Sequence, residues 1–153
     1  MLDTSEIAIF CALGVLFAGG LVFIAHWARA DLLRIAAYAL IAVSVIYVGF
    51  SLGSDNPKFW LGFEMTGVAV FGSLAMMGLI GKRWAVVLGL LLHPAWALAF
   101  HYYGTGAPFT PAPFAVGDAA FDIALGLAAG FVLLRRRAAP VEASSIKNKE
   151  RVR

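Results

Sequence analysis

Residues 7–28 read IAIFCALGVLFAGGLVFIAHWA, twenty-two positions without a formal charge. A helix crossing about 30 Å of hydrocarbon needs roughly 20 such residues, so this stretch reads as a membrane span, and it sets the question for the rest of the chain. Four further runs fit the same template: residues 35–53, 59–81, 84–103 and 117–134. The second is uncharged, the third carries Glu64, the fourth His93, Pro94 and His101, and the fifth Asp118 and Asp122. Barrel strands alternate apolar and polar residues over about ten positions. These runs do not alternate, so the expected class is an all-α integral membrane protein with five transmembrane helices.

Composition agrees. Of 153 residues, 61% are hydrophobic and 14% charged, against about 25% charged in a soluble domain. That excludes a cytosolic domain, a disordered chain and a nucleic-acid binder with a charged face. The single cysteine, Cys11, rules out a disulfide-stapled scaffold and reads as a small packing residue.

Charge placement predicts orientation. Eleven of the twelve Lys and Arg residues fall in the loops at 29–34 and 82–83 and in the tail from Arg135 onward; Lys58 is the exception. Basic loops stay in the cytoplasm, which puts the N-terminus outside and the C-terminus inside, and only an odd number of spans keeps that pattern. The acidic lead and long apolar run of the first span are unlike a cleavable signal peptide. Residues 1–137 are thus expected to form one bundle, with 138–153 a mobile basic cytoplasmic tail. There is no internal repeat of the kind that builds transporters from inverted halves.

Small residues suit helix contacts in lipid. The pairs Gly49/Gly53 and Gly126/Gly130 have Gly-x-x-x-Gly spacing, and their expected role is packing within the bundle or between two copies. Trp27, Trp60, Trp84, Tyr102 and Tyr103 lie near span ends, where amphipathic rings settle at the headgroup level.

Ionisable residues inside spans mark functional sites by default. At 1.5 Å per residue, Glu64 and Asp122 lie roughly 7 Å below the outer ends of their helices, Trp96 about 10 Å and His93 about 15 Å; His101 and Tyr102 lie close to the outer surface. Pro94 removes a helical hydrogen bond and predicts a kink beside His93. On an α-helix Phe100 points nearly as His93 does, with Trp96 and His101 to either side. The expected site is therefore an outward-facing polar and aromatic pocket of Glu64, His93, Trp96, Phe100, His101, Tyr102 and Asp122. Within it Glu64 is expected to pair with His93 or His101, if only to fix packing. Asp118, next to Gly117, reads as a helix N-cap.

No metal centre is expected. His93 and His101 are about 12 Å apart along one helix, so an ion would have to take one histidine with carboxylates from other helices. A bis-histidine haem fits still less well, because His26 and His93 lie at mismatched depths and His93 and His101 share one helix; the sequence leaves the cofactor unknown, and phosphate loops, nucleophile elbows and zinc signatures are absent from it. The connection GTGAPFTPAPFAV (residues 104–116), uncharged and proline-rich, reads as a lid over the outer pocket or an interfacial connection.

The segment LLHPAWALAFHYYG (91–104), with the proline-rich loop and Asp122 after it, resembles an uncharacterised family of small bacterial integral membrane proteins. The family pattern is a leucine-rich run, His-x-x-Trp-Asp and a His-His pair. His93, Trp96 and His101 match it, whereas Ala97 stands in place of the aspartate and Phe100 in place of the first paired histidine. The resemblance implies a multi-pass protein of the bacterial inner membrane and carries no activity. The leading functional expectation is binding, and conversion if the acid–base groups act on it, of a small lipophilic molecule. The alternatives are an accessory subunit of a larger membrane complex and a proton-coupled transporter. The expected partners are the lipid bilayer, that ligand, and a second copy or a larger complex.

Overall fold

In the computed structural model, which describes residues 2–138, every regular element is helical. The helices are α1 (Thr4–Trp27), α2 (Leu32–Ser51), α3 (Pro57–Leu79), α4 (Trp84–Trp96), which runs on into a π-helical segment (Ala97–Tyr102), and α5 (Ala112–Ala138). Five helices are long and apolar enough to cross a membrane, counting α4 and its π extension as one. Residues 139–153, nearly all of the expected tail, lie outside the described residues.

Local chemistry sets the helix starts. Asp3 and Glu6 form a reciprocal capping box on α1, with the Glu6 N–H donating to Asp3 Oδ1 at 2.8 Å and the Asp3 N–H to Glu6 Oε2 at 2.9 Å. Asp31 caps α2, and Asn56 caps α3 ahead of Pro57, where a missing N–H costs nothing. The same rule corrects the fifth span. Its predicted start at residue 117 moves back to Ala112, because Pro113 sits in the first turn, where no helical donor is lost. Residues 112–116 therefore belong to a helix and not to a loop. Asp118 consequently stands in the second turn and caps nothing.

Helices α2, α3, α4 and α5 enclose the core, in which Ala36, Leu40, Ala75, Val86, Leu90 and Leu125 are buried. Helix α1 packs almost wholly on α5. It buries only Gly14, Ala18 and Ala25, and a Cβ on Gly14 would collide with the Gly117 carbonyl, so the two backbones touch there. Gly126 and Gly130 lie against Leu90, Leu91 and Val87 of α4, as their spacing suggests. Gly49 faces open space and Gly53 meets only its own turn, so that pair packs against no helix among the described residues of the chain.

The two ends differ in charge. The basic end carries Arg29, Arg34, Lys82, Arg83, Arg135 and Arg136. There Asp31 binds Arg136 through both carboxylate oxygens, at 3.2 and 3.4 Å, and lies 3.5 Å from Arg83. One carboxylate thus ties three segments together. The opposite end carries Asp3, the α2–α3 connection and the loop from Tyr103 to Pro111, and the polar interior lies nearer to it.

Candidate functional site

Pro94 sits inside α4, and the backbone after it winds as a π-helix, with the Tyr103 N–H donating to the Leu98 carbonyl five residues back at 2.9 Å. Such a segment absorbs about one residue relative to α-geometry. With 100° per residue, His101 would lie roughly 80° off the direction of His93. One absorbed residue instead gives His101 the direction that Phe100 would have had. His93 and His101 are accordingly both buried on the inner face, while Phe100 is 37% exposed. Proline placement was legible; this change of register was not.

The two histidines meet different acids. His93 Nδ1 lies 2.6 Å from Asp122 Oδ2 and 3.5 Å from Asp118 Oδ2. His101 Nε2 lies 3.2 Å from Glu64 Oε1, close enough for charge pairing but off the direction of a hydrogen bond, and neither atom has another partner among the described residues. All five side chains are buried. His101 Nδ1 completes its contacts with Thr110 Oγ1 at 3.0 Å.

Tyr47 of α2 joins the two pairs. Its hydroxyl donates to Asp118 Oδ2 at 3.0 Å, and its ring lies 5.6 Å from that of His93 and 4.4 Å from that of His101. Sequence reasoning missed this residue. The signal lies in the buried stripe Leu33, Ala36, Leu40, Ser44, Tyr47 and Ser51, whose helical spacing carries Tyr47 inward. Asp118 stands four residues before Asp122 and shares its helix face, but nothing local marks its partner on another helix.

The remaining predicted residues divide. Trp96 stacks on Phe63 at 4.7 Å, touches Phe100 at 4.9 Å and leans on Gly67. These three rings form an aromatic wall beside the polar cluster, to which Phe71 connects it by an edge contact with His93 at 4.7 Å. Tyr102 turns away, packing with Ala115 and Val116 and with Ile7 and Phe10 of α1. The loop after Tyr103 closes over His101: Phe109 packs on Trp60 at 4.8 Å, Thr110 is buried, and a Cβ on Gly106 would come within 2.7 Å of His101 Nδ1.

A cavity of about 660 Å³ opens on the other side of α5, between α1 and α2. Phe17 and Gly20 of α1, Ile46 of α2, and Phe114 and Phe121 of α5 line it, and Asp118 is its one ionisable residue. None of the seven predicted site residues borders this groove. Asp118 borders the apolar groove, although its side chain is only 2% exposed, and its carboxylate is turned to the Tyr47–His93–Asp122 cluster. The His93, Asp118 and Asp122 ligand atoms all lie within 4.8 Å of one another, with both carboxylates coming from a single helix four residues apart. No family model, curated protein or solved structure matches the chain.

Proposed function

We propose that this multi-pass membrane protein binds a small lipophilic molecule in the groove between α1, α2 and α5. Asp118 serves as the polar anchor, and the Tyr47, His93 and Asp122 cluster behind it exchanges protons with the bound group. The observation that carries this reading is the place of Asp118, at the wall of an apolar groove and within a buried hydrogen-bonded cluster. A groove lined by phenylalanine and aliphatic side chains suits a hydrocarbon body, and one fixed carboxylate suits a single hydroxyl or amine on it. With the basic end in the cytoplasm, Asp118 lies in the outer half of the bilayer. Binding is favoured over proton-coupled transport because the core toward the basic end, with Ala36, Ala37, Leu40, Val86 and Leu125, is apolar and offers no titratable group to continue a path.

Gly20 gives the test. It is exposed, and an added Cβ meets nothing within 4 Å, so Gly20→Phe fills the groove without disturbing the core. Native mass spectrometry of protein released from mild detergent should show a small apolar adduct on the wild type. Gly20→Phe should lack it while melting at the same temperature. An adduct retained equally by both proteins would remove the groove from the argument.

A further inference from the structure

The structure assigns His93, Asp118 and Asp122 a second capacity, that of a binding site for a divalent first-row transition-metal ion. This goes beyond the groove reading: the apolar walls would hold a ligand with or without a metal, but a bound ion would take the place of the Asp118 anchor and of the proton-exchanging pair. Three donor atoms from two helices converge within 4.8 Å. Ligands about 2.0–2.2 Å from an ion stand roughly 3.3 Å apart in a tetrahedron. The His93–Asp118 separation of 3.5 Å already fits that spacing, and the 2.6 Å between His93 and Asp122 needs only a small opening.

Two further observations favour an ion over hydrogen bonds alone. Asp122 is fully buried, yet its Oδ1 has no hydrogen-bond partner among the described residues, an arrangement that costs its whole desolvation. No Lys or Arg is buried among the described residues, so two carboxylates face one imidazole. A proton on His93 balances one of them. A divalent ion bound by a neutral imidazole balances both.

The donor set narrows the metal. One nitrogen with two carboxylates suits zinc, manganese, iron or cobalt, whereas calcium takes six to eight oxygens. One supporting contact is in place: the Tyr47 hydroxyl holds Asp118 at 3.0 Å, as outer partners do in metal sites, and the Phe71 edge packs on the His93 ring. Three protein ligands leave a coordination position open.

The test uses full-length protein purified without a histidine tag and carrying Cys11→Ala and His26→Asn, which remove other donors. After chelation, Co²⁺ titration should saturate at one ion per chain and produce visible ligand-field absorption that Zn²⁺ abolishes. Loss of outer partners alone weakens metal sites by about 10–100-fold, so His93→Gln and Asp122→Asn should each weaken Co²⁺ binding by at least about 100-fold. Folded variants that bind like the parent would overturn the proposal. Should either variant fail to fold, the parent titration decides: no saturable binding, or binding without ligand-field bands, overturns it just as surely.

Discussion

Two carboxylate clusters sit at opposite depths of this bundle and solve the same problem differently. At the basic end, Asp31 meets Arg83 and Arg136, with side-chain exposures of 23%, 41% and 43%. Toward the other end, Asp118 and Asp122 meet His93 and Tyr47 at exposures near zero. Where water reaches, permanent cations suffice and each contact is worth little. Inside the bundle a permanent cation would itself need solvation, so the partners are groups that can be neutral: imidazole, phenol and protonated carboxyl. Such a cluster has more than one charge state compatible with lipid. That makes it suited to chemistry in a way that the Asp31 cluster is not.

The sharpest way to break this contrast is to remove one member of the buried cluster. Asp122→Ala leaves His93 without its 2.6 Å partner and opens a polar void. Deleting one side of a buried pair costs about 3–5 kcal/mol, and the loss should appear as a large drop in thermal midpoint in detergent. A drop no larger than that for Asp31→Ala would mean that burial does not set the scale. A smaller effect is expected from Tyr47→Phe, which keeps the ring between the two histidines and removes only the donor to Asp118. That change should cost about 1–3 kcal/mol. Combining it with Asp118→Asn should cost less than the two separate losses added together, because both remove one hydrogen bond. Strict additivity would show that the Tyr47–Asp118 contact contributes nothing.

The contrast also explains what was legible in the sequence. Five apolar runs and the placement of arginines depend on composition along one segment at a time, and the five helices follow from them. Buried polar geometry depends on which helices meet. Glu64 was expected to pair with His93 or His101, and His101 is the one it faces; the choice turned on a π-helical register that Pro94 hints at without specifying. Tyr47 looked like one aromatic among many because nothing local distinguishes a tyrosine aimed at an aspartate 71 residues away. Asp118 was misread as a cap because Pro111 and Pro113 suggested a loop, although proline is tolerated in a first helical turn. The α1 groove was missed for a related reason. Residues 7–28 are so uniformly apolar that hydropathy marks no preferred face, and α1 is seated by its small residues Gly14, Ala18 and Ala25, the ones it buries.

The smallest effect tests the exposed half of the comparison. Burial alone would raise the Asp31 carboxyl, but the Arg136 hydrogen bond, the Leu33 N–H and the charges of Arg136 and Arg83 outweigh it and hold the group below its ordinary range. A carboxyl depressed in the folded state stabilises fully above its unfolded value, near 3.9, and loses that contribution as pH falls through the folded value. Asparagine caps a helix about as well as aspartate, so Asp31→Asn isolates the charge. Its cost should be about 0.5–1 kcal/mol at neutral pH, shrinking with added salt. The gap to wild type should hold steady from about pH 8 to 5 and close below about pH 4. A gap that widened in acid, or ignored salt, would place Asp31 in the same physical class as Asp122 and dissolve the distinction between the two ends.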